Sequence, residues 1–218
     1  MSRKSNFCFV CQTNRNNIKM ISLIDNKLVV ASHNDGKIKE ITNLFKPKKV
    51  QVLTSKDFLL KEPVENGKTF EENALIKSKY TSINSGLVSL SDDSGICLDA
   101  LDGKPGIHSA RIAGKNKDFL LAMKKLYFKI KNFENKSCKF VCALSMYWPN
   151  GQNITVRGEI FGHFVWPPRG KLGFGYDPIF LPKGFNETFG EMAPNKKHSI
   201  SHRQIAFKKL MDKVKNIF

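Results

Sequence analysis

The sequence predicts an α/β fold organised on a mixed, partly parallel β-sheet. Three observations carry that prediction. Short apolar strands alternate with helices whose apolar residues recur three and four apart, beginning with a β-α-β run over residues 28–53. Two longer strand-like segments, near 138–148 and 153–165, extend the sheet. The composition, 41% hydrophobic and 25% charged over 218 residues, is that of a folded chain able to bury a core without disulfides or metal.

Residues 1–26 are polar, rich in Asn, Ser and Lys, and lack a sustained period. They read as an extension ahead of a single domain over 27–218, with Met20 an alternative start. Leu28-Val29-Val30-Ala31 is the first strand. After a turn at Asn34-Asp35-Gly36, a helix carries Ile38, Ile41 and Phe45 on one stripe. KVQVL (49–53) is the next strand. Thr69 and Glu72 frame a capping box that opens a helix to about Ser85. LVSL (87–90) reads as a strand, SDDSG (91–95) as a tight turn and ICLDAL (96–101) as a further strand. A helix over 118–130 precedes the two long strands. Residues 167–189, rich in Gly, Pro and Phe, read as loop with one short strand at most. Ser201 and Gln204 frame a second capping box, and Ile205, Leu210, Met211, Val214 and Ile217 share a stripe of the last helix.

No apolar run approaches the ~20 residues of a membrane span. The N-terminal MSRKSNFCFVCQ holds too short an apolar stretch for an export signal, so the expected address is the cytoplasm, with no membrane partner. Five cysteines, an odd count, fit reduced thiols. Cys8 and Cys11 form a C-x-x-C with no second pair at zinc-finger spacing; Cys138 and Cys142 lie too far apart along a strand to bridge. The 36 Lys and Arg against 19 Asp and Glu leave a net charge of +17. Such a surplus attracts anions, nucleic acid or a small polyphosphate, though the wealth of Lys, Asn, Ile and Phe also fits a compositional bias. The lysines are spread from Lys4 to Lys215 without a long run, so no specific nucleic-acid partner is expected.

Four segments hold candidate chemistry. Ser32-His33-Asn34-Asp35-Gly36-Lys37 joins a strand to a helix N-terminus, where free amides and the positive helix end suit an anion. The same stretch is also ordinary architecture, and it is not a Walker A loop. Asp92-Asp93-Ser94-Gly95 pairs two carboxylates of the kind that hold Mg²⁺ with substrate phosphates, or simply forms a polar turn. Phe174-Gly175-Tyr176-Asp177 offers an aromatic face, bare backbone and a carboxylate for a nucleobase, or a packed aromatic in a loop. His202 and Arg203 occupy the positive end of the last helix, with Lys197 upstream. That placement is unfavourable unless an anionic or carbonyl acceptor lies nearby.

Taken together, these segments resemble the inosine/xanthosine triphosphate pyrophosphatase family. The matching blocks are VASHNDGKIKEI, KTFEENALIKSKY, SDDSGICLDALDGKPGIHSARIAG, GFGYDPIFLP and KKHSISHRQIAFKKL, spread over about residues 28–210. The resemblance implies a two-lobed, elongated mixed sheet flanked by helices, with the active-site cleft between the lobes, assembled as a homodimer. It implies hydrolysis of non-canonical purine nucleoside triphosphates (ITP, dITP, XTP) to the monophosphate and pyrophosphate.

By position, Ser32 to Lys37 match the phosphate-binding segment, usually T-G-N-x-x-K, with Ser32 in place of Thr and His33 in place of Gly. Asp93 matches the proton acceptor, which also touches the metal; Asp92 and Glu65 match acidic positions around Mg²⁺. Ser94, Phe174, Gly175, Tyr176, Asp177, Lys197, His202 and Arg203 match substrate-binding positions. Asn73, Lys77 and Arg111 fall in matching motifs, and the two basic ones suit phosphate contacts. Arg203 and His202 would pair with the carbonyl at purine position 6 and disfavour adenine, which presents an amino donor there. Two alternatives stand beside this reading: a related pyrophosphatase for other modified nucleotides, and a basic nucleic-acid-binding protein in which DDSG is merely a turn.

Overall fold

The computed structural model describes residues 23–114 and 116–215. Most of the expected N-terminal extension, Met20, the Cys8/Cys11 pair and Ile217 lie outside the described residues. The chain opens with β1 (Lys27–Ala31), α1 (Asp35–Phe45) and β2 (Gln51–Thr54). Next come α2 (Phe70–Ser85), β3 (Ser89–Leu98), the single turn α3 (Ser109–Ile112), α4 (Phe119–Ile130) and the hairpin of β4 (Ser137–Tyr147) with β5 (Asn153–Phe164). The chain continues through β6 (Phe180–Pro182), α5 (Pro194–Ile200) and α6 (His202–Lys213). One six-stranded sheet, ordered β2-β1-β3-β4-β5-β6, holds all the strands. β1 runs parallel to β2 and β3, and the remaining neighbours are antiparallel, the mixed sheet flanked by helices that the sequence predicts.

Local signals set the helix ends. The Asn34 side chain accepts from the Lys37 amide and caps α1; Thr69 and Ser201 do the same for α2 and α6. Each such cap is worth about 1 kcal/mol. Glu72 reaches one residue further back than a simple capping box, taking the amide of Lys68 rather than that of Thr69. α2 stops at Gly86, whose φ of 70° few other residues adopt cheaply.

SDDSG is a strand and not a turn. Residues 89–98 form one ten-residue strand paired with β4 along its whole length, and Asp99–Leu101 is a 3₁₀ turn, not more strand. A polar run survives in the middle of a sheet only if distant side chains partner it, and here Lys37, Lys77 and Arg203 do so.

Strand alternation assigns the two sheet faces. One face of β4 presents Val141 and Ala143 toward α2, in a small cluster with Phe70, Ala74 and Cys97. The other carries two larger cores. Leu90, Cys142, Leu144, Met146 and Val156 pack with Leu28, Val30, Ile41, Phe45, Phe207 and Leu210. Ile96, Leu98, Cys138, Phe140 and Phe164 pack with residues of α4 and of the 176–192 segment. β3, β4 and β5 thus run through both cores, and Asp92, Asp93 and Ser94 lie where one core gives way to the other.

Candidate active site

A cavity of about 580 Å³ opens at that junction. It takes residues from the β1–α1 turn, segment 62–65, α2, β3, the 107–119 stretch, the 174–177 loop, α5 and α6. Of the sequence-predicted site, it brings together Ser32, His33, Asn34, Lys37, Glu65, Lys77, Asp93, Ser94, Arg111, Phe174, Gly175, Tyr176, Asp177, Lys197, His202 and Arg203. Asp35, Gly36 and Asp92 are not in its wall. Asp35 is exposed and paired with Lys56 at 2.8 Å, while Gly36 packs beneath the Phe174 ring, where a Cβ would collide.

Asp93 and Asp92 are split by the pleat. Asp93 faces α2, with Oδ1 3.6 Å from Lys77 Nζ and a buried Oδ2 that has no hydrogen-bond partner. Lys77 Nζ also lies 2.6 Å from Glu65 Oε1. Burial pushes the Asp93 carboxyl up, against the pull of Lys77 and Lys37. Burial likewise opposes the charge on Lys77, but Asp93 and Glu65 outweigh it and hold the ammonium protonated to higher pH.

Asp92 turns to the opposite face, with every contact accounted for. Lys37 Nζ lies 2.5 Å from Oδ1, which also accepts from the Ser94 hydroxyl at 3.0 Å. Oδ2 accepts from Arg203 Nε at 2.8 Å and from the Cys142 thiol at 3.0 Å. Burial alone would raise its pKa, yet Arg203 and Lys37 prevail and hold it well below the usual carboxylate range. Asp92 is therefore a buried counter-ion behind the wall.

Arg203 also donates to Glu40, which receives Lys197 on its other oxygen at 3.0 Å. Lys197 bridges on to Asp177 Oδ2 at 2.6 Å, and the same oxygen takes the Phe174 amide at 2.8 Å, shaping the 174–177 loop. Burial raises the Asp177 carboxyl despite Lys197. Tyr176 donates its hydroxyl to Ser109 O at 2.8 Å and packs edge-on against Phe119. Burial and neighbouring Arg203 keep His202 neutral well below the ordinary imidazole value, stacked on Phe140 with Nδ1 unpartnered.

The acceptor that a cation at a helix's positive end demands is present for Arg203, as Asp92 together with Glu40, while His202 carries no charge that needs one. Sequence reading missed Glu40. Its one local mark is the spacing Lys37-Glu40, three apart on one side of α1, which does not distinguish a buried carboxylate from an exposed one. Ser109, Phe119 and Phe140 of the wall carry no such local mark.

The sequence model of the Ham1 family matches residues 28–213. The chain belongs to the Ham1 family. A dITP/XTP pyrophosphatase of Zymomonas mobilis is 45% identical over 188 residues, 85% of this chain and 90% of that protein. One from Caulobacter vibrioides is 47% identical over 186 residues, 84% of this chain and 95% of its own. The Staphylococcus aureus Ham1 protein superposes with a TM-score of 0.79 at 35% identity, over 87% of this chain and 98% of its own. A HAM1 protein from Coxiella burnetii superposes at 0.80 and 33% identity with the same coverage. The Ham1 match begins with the Leu28 strand and takes in every segment of the cavity wall.

Proposed function

We propose that this chain hydrolyses ITP, dITP and XTP to the monophosphate and pyrophosphate. The observation that carries this reading is Asp93, a buried carboxylate with a free oxygen in the wall of a cavity otherwise rich in cations. The names of its close relatives supply the substrate class.

A triphosphate is a polyanion, and Lys37, Lys77, Lys117, Arg111 and the capped start of α1 are the matching counter-charges around the cavity. Asp93 takes the proton of a water that attacks the α-phosphorus. Burial raises its pKa, and a bound cation would oppose that rise. Pyrophosphate leaves toward the basic wall. The purine lies beside the Phe174 ring, with neutral His202 and Arg203 at its edge and Asp177 fixing the loop.

The donor set fits Mg²⁺. Asp93 and Glu65 converge on Lys77 Nζ from two sides, and Asp93 Oδ2 is left over. Mg²⁺ is commonly held by one or two carboxylates plus substrate phosphates, and Asp93 and Glu65 would be those carboxylates here. Bound there, the ion would neutralise the departing pyrophosphate and acidify the attacking water. Asp92 takes no part, its oxygens being engaged.

The active form in this reading is a cytoplasmic homodimer; among the described residues no helix is long and apolar enough to cross a membrane. The deciding experiment is pyrophosphate release from ITP, dITP, XTP, GTP and ATP with Mg²⁺, for wild type and Asp93→Asn. Turnover of the first three, absent in the variant, supports the reading. A folded protein that releases pyrophosphate from none of them overturns it.

A further inference from the structure

Residues 60–67 have no regular secondary structure, yet Glu62, Pro63, Val64 and Glu65 form one wall of the cavity. Such a strap lies against a cavity only if its backbone is fastened at both ends. Its far end is tied twice: Arg111 Nη2 donates to Glu65 O at 2.8 Å, and the Gly67 amide donates to Asn73 Oδ1 at 2.9 Å. Its near end is tied by the Leu60 amide, which donates to Ser55 O at 3.1 Å, and by His33, whose Nε2 lies 3.0 Å from Leu60 O. A carbonyl can only accept, so Nε2 carries a proton. His33 Nδ1 is buried, has no hydrogen-bond partner, and stands 3.9 Å from Glu62 Oε1.

We propose that His33 is a positioning residue: its ring latches the 60–65 strap to the phosphate-binding turn and so holds Glu65 in place beside Asp93. The family pattern that this turn resembles, T-G-N-x-x-K, has Gly at this position, which has no side chain to make that bond. His33 does not need to touch substrate for this role; it sets the fraction of protein whose strap is already closed. When only a fraction is competent, apparent affinity falls by that fraction while the rate at saturation is kept. The role in turnover rests on the pyrophosphatase reading above, but the latch itself does not.

The test therefore begins without substrate. Lys61 is exposed within the strap, so tryptic cleavage after Lys61 reports strap opening in the ligand-free protein. His33→Ala should speed that cleavage about five-fold, the size expected for one lost hydrogen bond, and His33→Gln, which restores a donor, should return it toward wild type. Imidazole ¹⁵N shifts should show His33 Nε2 protonated and hydrogen-bonded. With ITP and Mg²⁺, KM should rise about five-fold in His33→Ala with kcat changed less than two-fold, and Gln should again rescue. Equal cleavage in wild type and His33→Ala, or a Gln variant that behaves like Ala, overturns the latch. If wild type releases no pyrophosphate while the cleavage and ¹⁵N results hold, the latch stands and the pyrophosphatase reading falls.

Discussion

Asp92 and Asp93 are consecutive residues of one strand whose carboxyls titrate in opposite directions, Asp92 held down by Arg203 and Lys37 and Asp93 pushed up by burial. The pleat sends one side chain to each face, so neighbours in sequence have different partners. Asn substitution should separate their roles. Asp93→Asn should abolish pyrophosphate release with thermal stability kept or raised, because it removes a charge the fold disfavours. Asp92→Asn should cost about 3–5 kcal/mol in urea unfolding, because it removes the counter-ion shared by half-buried Lys37 and buried Arg203 and leaves Arg203 with Glu40 alone. Equal destabilisation by both would contradict the division.

The pH dependence follows with a definite sign. Asp93 acts as a base only when ionised, so kcat/KM should rise with pH through its raised pKa and fall off in acid; a profile flat from acid to alkaline pH would exclude it as the base. Stability should follow Asp92 in the other sense. Its folded pKa is depressed, so its contribution is full above the unfolded value, about 3.9, and is lost only as pH falls through the depressed one.

Arg203 ties α6 to two other elements, donating to Asp92 and, at 3.3 Å, to Ser94 of β3, and to Glu40 of α1. Arg203→Ala should lose ITP turnover and the preference for ITP over ATP together, measured as the ratio of kcat/KM values. Unchanged ITP kinetics would remove it from the site.

Divalent-metal removal should stop turnover, and Glu65→Gln should raise the Mg²⁺ concentration for half-maximal rate by about ten-fold, the scale of an altered metal ligand shell. A Mg²⁺ titration that superimposes on wild type would free Glu65 from that role.

Gly158 of β5 lies directly under the start of α6, and a Cβ there would strike His202 O and the Ala206 amide. Gly158→Ala should lower stability by about 1–3 kcal/mol and weaken turnover, since His202 and Arg203 ride on that helix. Wild-type melting and kinetics in this variant would show that α6 can lift without consequence.

Much of this was legible locally. The Asn34, Thr69 and Ser201 caps are written within four residues of sequence, and α1, α2, α4 and α6 start where those signals or Asp118 place them. SDDSG was not legible, because the side chains that make it a strand lie 55 residues before Asp92, at Lys37, and 111 after it, at Arg203. Local chemistry favours a turn there, and only tertiary pairing overrides it. Glu40 escaped for the same reason. One Glu on an exposed-looking helix says nothing until Lys197 and Arg203 arrive from the far end of the chain.

The three strands shared by both cores have a kinetic consequence. β3, β4 and β5 pass unbroken from one core to the other, joined by 21 residue pairings (10 between β3 and β4, 11 between β4 and β5), so the sheet offers no hinge about which the two halves could swing. Opening is left to the loop parts of the wall, residues 60–67 and 174–177. Such motions run in nanoseconds to microseconds, against microseconds to milliseconds for domain closure. Gating by loops on that scale would be faster than the 1–10³ turnovers per second typical of enzymes, and a pre-steady-state burst of product would show that a later step sets the rate.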